Sequence, residues 1–216
     1  MTIILMSDPR VAAIPVDECG EPLADVRASG ILLVDDRRRD AAGAFAHLRQ
    51  GVLDRLLLAS SLLPDGLRLL FVEGYRPPAL QAQYFEAYAA KLRALSPAAT
   101  AVQIRADTSR FVSPPEIAPH SAGAAVDLTL VGPDGVELDM GTRVNANPEE
   151  SNGACYTAAD SISARARTNR EVLVHVLSEA GLVNYPTEFW HWSYGDRYWA
   201  LETDREAAPY GPIELP

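Results

Sequence analysis

Apolar residues recur along this chain with two different spacings, which predict its secondary structure. Helical spacing runs from Phe45 to Leu57, and the Pro-Asp-Gly sequence after residue 63 ends that helix as a turn. Thr168 and Glu171 stand three apart, as in a capping box at the start of a helix. A shorter helix is expected after Pro97. The long predicted helices cover residues 41–63, 77–95 and 168–180.

Continuous or alternating apolar runs predict the strands. Residues 67–73 form one such run, and Asp127 opens another that continues to Leu130. The Gly-Pro-Asp-Gly sequence after this second run, followed by residues 136–140, predicts a hairpin. Residues 188–194 are rich in aromatic side chains and have the composition of a final strand.

Polar and turn-forming residues fill the remaining stretches. The charged run of residues 35–40 is expected to be a solvated turn, and residues 141–163 a long loop. Residues 1–6 are apolar but too short for a membrane span and have no basic region before them, so they are expected to form an edge strand or an ordered arm. These elements predict one α+β domain over residues 1–216, with helices packed on a mainly antiparallel central sheet.

Composition and charge narrow the class of partner. The chain has 216 residues, 48% of them hydrophobic, and 19 basic against 29 acidic residues give a formal net charge of −10. Such a surface disfavours nucleic acid and anionic membranes, since both select clustered Lys and Arg. Cys19 and Cys155 are far apart in loop-like sequence and are expected to be free thiols. We therefore expect a cytoplasmic protein with a small-molecule substrate, and homo-oligomer formation stays open.

Three residues have the chemistry of a metal site. Six residues separate His120 from Asp127, and His191 lies in the later aromatic stretch. Two imidazole nitrogens and a carboxylate oxygen suit zinc, which keeps one position open for water in catalytic sites. Asp127 also opens an apolar run, where burying an acid without a cation or several donors is costly. The sequence therefore predicts one zinc ion per chain, held by His120, Asp127 and His191.

Glu188 stands three residues before His191, near enough to act as a general base without being a ligand. In a regular strand these two side chains would point to opposite faces, so a turn or bulge is expected between Thr187 and His191. Plainer interpretations stay open at this level. A histidine in an aromatic strand is commonly a hydrogen-bonded core residue, and Arg76 in a Gly-Tyr-Arg-Pro turn is commonly a surface or salt-bridged arginine.

Three separated motifs occur in a distinctive order. They are Glu-Gly-Tyr-Arg-Pro at residues 73–77, His-Ser-x-Gly-x-Ala-x-Asp-Leu-Thr-Leu at 120–130, and Glu-Phe-Trp-His at 188–191. Together they resemble the zinc D-alanyl-D-alanine dipeptidases of the VanX type, within the larger group of hedgehog-like zinc DD-peptidases. The resemblance is strongest over residues 67–194. It implies a hedgehog/DD-peptidase-like zinc site and hydrolysis of D-alanyl-D-alanine, or a closely related D-dipeptide, by a metal-bound water.

The resemblance also implies roles for single residues. Glu188 matches the base that deprotonates the attacking water, and Arg76 matches the cation that polarises the scissile carbonyl group. The positions of the family's zinc ligands coincide with the three residues inferred above from their chemistry. The expected substrate contacts are Tyr75, Ser121 and Asn145.

Two positions depart from the family's pattern. Asn145 stands where these dipeptidases carry an aspartate that holds the substrate ammonium group, and an amide forgoes the charge-assisted hydrogen bond. Asp139 or Glu149 is the alternative partner for that amine. Ala118 stands where the family often has a serine. Two other functions therefore stay open: a DD-carboxypeptidase or other small-amide hydrolase on the same zinc site, and a non-catalytic zinc-binding module.

Overall fold

The computed structural model describes residues 3–215, with a five-stranded sheet at their centre. The edge strand β2 (Leu33–Val34) pairs parallel with β4 (Arg68–Glu73), and the other three pairs of neighbouring strands are antiparallel, so the predicted mainly antiparallel sheet is confirmed. A separate antiparallel pair joins β1 (Leu23–Asp25) to β3 (His47–Arg49). In spatial order the central strands are β2 (Leu33–Val34), β4 (Arg68–Glu73), β5 (Ala125–Val131), β7 (His191–Ser193) and β6 (Val183–Asn184).

The helices flank this sheet. Two of the predicted helices, over residues 77–95 and after Pro97, are confirmed as α3 (Pro78–Leu95) and α4 (Ala101–Thr108). None of the helices among residues 3–215 combines the length and apolar character needed to cross a bilayer. The α-helices are α1 (Pro9–Ala13), α2 (Gln50–Leu62), α3 (Pro78–Leu95), α4 (Ala101–Thr108), α5 (Ala164–Glu179) and α6 (Arg197–Glu202).

The first long helix is shorter than predicted. Residues 44–46 form a 3-10 turn and residues 47–49 belong to β3, so only Gln50–Leu62 of the predicted range 41–63 is an α-helix. Apolar side chains before residue 50 are nevertheless buried, because the turn and the short strand direct them into the main hydrophobic cluster. The apolar spacing therefore indicated burial correctly and the element incorrectly.

The last long helix begins four residues before its predicted start. Ser163 is the N-cap, and its Oγ accepts a hydrogen bond from the backbone N–H of Ala166 at 3.0 Å. Thr168 therefore lies inside the helix, and the capping-box interpretation of Thr168 and Glu171 is wrong. The predicted glycine stop is confirmed, since Gly181 follows the helix with a left-handed φ of 84°.

The predicted hairpin after β5 has only one regular arm. The backbone N–H of Leu138 donates to the carbonyl oxygen of Leu130 at 2.9 Å, and an isolated bridge joins Val131 to Glu137. Residues 136–140 do not form the strand that was predicted for them. The Pro-Asp-Gly turn is therefore present, but its second arm leaves the sheet after one bridge.

The N-terminal segment is an ordered arm rather than an edge strand. The prediction covered residues 1–6, of which residues 1–2 lie outside the described range, and residues 3–6 form no strand. Met6 is fully buried in a small cluster with Tyr185 and Tyr198. The arm is therefore held by packing of its side chains.

The main hydrophobic core lies on one face of the central sheet. β5 is buried along its whole length, and Val126, Leu128 and Leu130 join residues of α2 and α5 in the main cluster. Asp127 and Thr129 alternate with them and therefore point to the opposite face. Helices α3 and α4 form a smaller cluster of their own. The sheet face that carries Asp127 is thus free for a site.

Arg170 of α5 orders the long loop that follows the β5 turn. It is 2% exposed and donates to the carbonyl oxygens of Met140, Ala154 and Tyr156 at 2.8, 2.7 and 2.6 Å. Its guanidinium group lies 4.4 Å from the centre of the Phe189 ring. Burial lowers the pKa of Arg170 to about 10, so the group stays charged at neutral pH. One buried cation therefore joins the loop to the segment that carries Glu188.

Replacing Arg170 with Met is expected to lower the free energy of unfolding by about 3 kcal/mol, because it leaves several buried carbonyl groups without donors. Chemical denaturation followed by circular dichroism measures this change. Arg165→Met, at an exposed position of the same helix, is the matched control and should change stability by less than about 0.5 kcal/mol. Equal stability of the two variants would contradict the ordering role of Arg170.

Candidate active site

Three strands of the central sheet meet at the level of Asp127. In the strand register Asp127 of β5 is paired with Glu73 of β4 on one side and with His191 of β7 on the other. β4 is irregular between Phe71 and Glu73, which allows Glu73 to reach this level. Directly paired residues project on the same side of a sheet, so the three side chains lie next to one another.

His120 reaches the same point from the 3-10 turn before β5. This turn, Pro119–Ala122, ends at Gly123, which has a φ of 66° and where an added Cβ would lie 2.4 Å from Leu23. Nδ1 of His120 lies 2.6 Å from the carbonyl oxygen of Gly74. A carbonyl oxygen only accepts hydrogen bonds, so Nδ1 carries the hydrogen and Nε2 keeps its lone pair for a metal ion.

His120, Asp127 and His191 form a cluster that could hold a metal ion. One ligand atom of each residue lies within 4.8 Å of the other two. Nε2 of His120 and Nδ1 of His191 lie 3.4 and 3.0 Å from the same oxygen of Asp127. All three residues are 5% exposed or less. Two imidazole nitrogens and one carboxylate oxygen are a donor set that zinc accepts.

The protonation states of this cluster suit a cation. Burial raises the pKa of Asp127, but His120 and His191 outweigh burial and hold that pKa well below its ordinary value. Burial lowers the pKa of His191 and so favours the neutral imidazole. A carboxylate and a neutral imidazole are the forms that bind metals.

Glu188 lies beside the cluster, on a turn. Its Oε2 is 4.0 Å from Nδ1 of His191. The backbone N–H of His191 donates to the carbonyl oxygen of Glu188 at 3.2 Å, so the turn expected between Thr187 and His191 is confirmed. β7 therefore covers only His191–Ser193, and the predicted strand over residues 188–194 is wrong in its first three residues and at Tyr194. The turn directs both side chains to one site.

The pKa of Glu188 is raised well above its ordinary value. Burial is the main cause, and repulsion by Asp127 adds to it, while Arg76 acts in the opposite direction. A carboxylate with a raised pKa is a stronger base than an exposed one. This is the property that a general base in proton transfer requires.

Arg76 follows β4 and is held in one orientation. Its Nε and Nη2 donate to the two carboxylate oxygens of Glu73 at 2.7 and 2.8 Å, and its Nη1 donates to Oε1 of Gln81 at 2.7 Å. The guanidinium group lies 5.0 Å from the centre of the Tyr84 ring. Burial lowers the pKa of Arg76, but Glu73 outweighs burial, so the group stays charged. An arginine has N–H groups beyond these three, and they remain for a substrate.

These groups line one cavity of about 330 Å³. That volume lies in the range of small-molecule sites. The wall combines the metal cluster and its neighbours with residues of α3, notably Tyr84. The lining residues include Arg38, Arg76, Asp127, Asn145 and Glu188.

Of the three predicted substrate contacts, Asn145 lies on the cavity wall. Ser121 is fully buried, and its hydroxyl group donates to the carbonyl oxygen of Arg76 at 2.9 Å. The hydroxyl group of Tyr75 donates to the carbonyl oxygen of Ile213 at 2.7 Å. The role of Ser121 and Tyr75 in substrate binding stays a prediction, while their observed contacts support the backbone of the site.

Arg38 and Asn145 form a connected pair on this wall. With the side-chain amide of Asn145 oriented so that both of its ends find a partner, its nitrogen donates to Oδ2 of Asp127 at 3.2 Å, and its oxygen accepts from Nε and Nη2 of Arg38, each at 3.2 Å. Nε of Arg38 also lies 3.4 Å from Oε2 of Glu73. The solvated turn expected over residues 35–40 is therefore wrong for Arg38, which lies on the cavity wall. Its neighbours in sequence are equally charged, so no local pattern distinguishes it from them.

Comparison with known proteins decides the family. The sequence profile of Peptidase_M15, D-ala-D-ala dipeptidase, matches residues 50–207. The D-alanyl-D-alanine dipeptidase of Synechocystis sp. is 30% identical over 239 aligned residues, which cover 94% of this chain and 96% of that protein. The chain belongs to the D-Ala-D-Ala dipeptidase family. The family resemblance seen in the sequence motifs is thereby confirmed, and the protein is a metallopeptidase of this family.

Another dipeptidase and one solved structure are also similar to this chain. The D-alanyl-D-alanine dipeptidase of Enterococcus faecium is 37% identical over 78 residues, which cover 36% of this chain and 37% of that protein. A solved structure described as VanYB in complex with D-Alanine-D-Alanine superposes with a TM-score of 0.47 at 15% identity, covering 92% of this chain and 94% of that chain.

Proposed function

We propose that this protein is a zinc-dependent dipeptidase that hydrolyses the peptide bond of D-alanyl-D-alanine or a closely related D-dipeptide. The observation that carries the proposal is the placement of Glu188 and Arg76 around the cluster of His120, Asp127 and His191 in one cavity. The buried donor set supports one zinc ion per chain. The activity of the family's named members supports the substrate class.

Each group has a defined part in this hydrolysis. When bound, zinc supplies Lewis-acid polarisation of the scissile carbonyl group and a lowered pKa for the attacking water. Glu188 takes a proton from that water and passes it to the nitrogen of the leaving amino acid as the C–N bond breaks. Arg76, oriented by Glu73 and Gln81, donates its remaining N–H groups to the carbonyl oxygen as negative charge develops there.

Removal of metal with a chelator is expected to abolish release of D-alanine from D-alanyl-D-alanine, and added zinc should restore it. Metal analysis of the purified protein should give about one zinc per chain. L-alanyl-L-alanine in the same assay tests the stereochemical preference. Activity that survives complete metal removal would contradict the zinc assignment. A zinc-loaded protein that turns over no D-dipeptide would instead support the non-catalytic binding module.

A DD-carboxypeptidase activity on the same site is the second candidate function. Two observations favour it. Asp139 and Glu149, the carboxylates that could bind a free amino group of the substrate, are not among the lining residues, and Asn145 on the cavity wall is neutral. Comparison of D-alanyl-D-alanine with its N-acetylated form separates the two candidates. A preference for the blocked form would indicate the carboxypeptidase.

We infer a cytoplasmic location and a small-molecule substrate for this protein. Cys19 and Cys155 are both free thiols, the state that is typical of a reducing cytoplasm. The net charge of −10 disfavours nucleic acid and anionic membranes as partners, which leaves a small peptide as the substrate. Formation of a homo-oligomer stays a prediction.

A further inference from the structure

The two carboxylate oxygens of Asp127 face different neighbours. Oδ1 faces both histidines of the cluster, at 3.4 Å from Nε2 of His120 and 3.0 Å from Nδ1 of His191. Oδ2 faces the side-chain amide of Asn145 at 3.2 Å. The oxygen that Asn145 contacts is therefore the one that is turned away from the histidines.

The orientation of the Asn145 amide follows from its two neighbours. One end of an amide group donates hydrogen bonds and the other end accepts them. A carboxylate only accepts and a guanidinium group only donates, so the amide nitrogen faces Asp127 and the amide oxygen faces Arg38. Arg38 approaches that oxygen with both Nε and Nη2, each at 3.2 Å. Arg38 thus selects the orientation in which the amide holds Asp127.

The backbone at Asn145 is also fixed. Val144 and Ala146 on either side of it are buried. Asn145 has a φ of 62°, in the left-handed region, which asparagine tolerates better than most other residues. Its carbonyl oxygen accepts from Nη1 of Arg143 at 3.1 Å. The loop therefore presents the amide to Asp127 from a defined position.

Arg38 is anchored by groups that belong to the rest of the site. Its Nε lies 3.4 Å from Oε2 of Glu73, the oxygen that also accepts from Nη2 of Arg76 at 2.8 Å. The guanidinium carbon of Arg38 lies 5.8 Å from the centre of the Tyr84 ring. One guanidinium group thus connects the contact between Asn145 and Asp127 to the carboxylate that orients Arg76.

The charge of Arg38 does not account for its place beside a metal site. A guanidinium group that is separated from Asp127 by a single amide repels a divalent cation at that carboxylate. Its charge therefore weakens zinc binding, whereas a fixed orientation of a ligand strengthens it. What an arginine offers here is its planar fork, which reaches the Asn145 oxygen and Glu73 together.

We propose that Arg38 is a positioning residue of the metal site: it orients the amide of Asn145, which holds Oδ2 of Asp127 and leaves Oδ1 for the metal. This inference rests on the zinc binding that is part of the proposed function. It gives Asn145 a role towards Asp127, because both ends of its amide are occupied by protein groups. A carboxylate at position 145 would face Oδ2 of Asp127 without a donor.

Substitution of Arg38 by Lys separates geometry from charge, because the positive charge stays while the planar fork is lost. In competition with a chelator, the zinc dissociation constant of Arg38→Lys should exceed that of the unmodified chain by about tenfold or more. Arg39→Lys, at a side chain that is 69% exposed, is the matched control and should stay within about twofold. An unchanged zinc dissociation constant in Arg38→Lys would overturn the proposal.

Asn145→Gly tests the second half of the connection, and it serves alone if Arg38→Lys does not fold. Glycine accepts the left-handed φ, so this change removes the amide without straining the backbone. Zinc binding should again weaken by about tenfold. Because Arg38 acts through Asn145, the double variant should bind zinc no more weakly than Asn145→Gly. Losses that add in the double variant would show that Arg38 acts by another route and would overturn the proposal.

Two further readouts separate positioning from a purely structural role. The visible spectrum of the cobalt-substituted protein reports the arrangement of the metal ligands, so it should change in Arg38→Lys and stay the same in Arg39→Lys. Thermal unfolding of the metal-free proteins measures the stability of the fold alone. A lower unfolding temperature of metal-free Arg38→Lys, with unchanged zinc affinity and cobalt spectrum, would make Arg38 a structural residue and would contradict the proposed role.

These measurements need no turnover, so they separate this inference from the function on which it rests. If the zinc-loaded chain hydrolysed no D-dipeptide, the peptidase function would be wrong, while weaker zinc binding by Arg38→Lys would still support the positioning role. If the chain hydrolysed D-alanyl-D-alanine and Arg38→Lys bound zinc as tightly as the unmodified chain, the peptidase function would stand and the positioning role would be wrong.

Discussion

Replacing Glu188 with Gln is expected to lower kcat for D-alanyl-D-alanine by about 100-fold or more. The amide keeps the size of the side chain but cannot take a proton from water. Glu188 lies outside the cluster of His120, Asp127 and His191, with its Oε2 4.0 Å from Nδ1 of His191, so the variant should keep its zinc. Steady-state kinetics and metal analysis on the same preparation measure the two quantities together.

The control for this variant is Glu171→Gln, which makes the same chemical change at an exposed position of α5. It should keep the kcat of the unmodified protein. Hydrolysis by Glu188→Gln within a few-fold of that rate would show that another group accepts the proton. A loss of zinc from Glu188→Gln would instead show that Glu188 is a ligand.

Replacing Arg76 with Lys is expected to lower kcat by about 10²- to 10³-fold, the usual effect of removing a donor to a developing oxyanion. Lysine keeps the positive charge, but its ammonium group cannot hold both oxygens of Glu73 and the amide of Gln81 while also facing the substrate. The zinc content should be unchanged, because Arg76 is not in the ligand cluster.

The matched control is Arg68→Lys at the exposed start of β4, the strand that leads to Arg76. It should leave kcat unchanged, and thermal unfolding of both variants shows whether the fold is kept. If Arg76→Lys raised KM and left kcat intact, Arg76 would bind substrate and transition state equally and would not stabilise the oxyanion.

The residues proposed as metal ligands could be inferred from the sequence alone. His120, Asp127 and His191 have side chains that suit zinc, and Glu188 stands three residues before His191. The turn that brings Glu188 and His191 to one site also follows from the sequence, because a regular strand would separate them. These conclusions depend on residue type and short spacing, which are local properties.

The tertiary structure decided which other residues complete the site. Glu73 lies beside Asp127 only because of the register of β4 against β5 and the irregularity before Glu73, and no short-range pattern encodes a pairing across more than fifty residues. In the sequence Arg38 is one of several charged residues in a polar run, and only the fold places it beside Asn145 and Glu73. The sequence therefore determined the chemistry of hydrolysis. The surroundings of the metal cluster were decided by the fold, because they depend on which distant side chains share the carboxylate of Glu73.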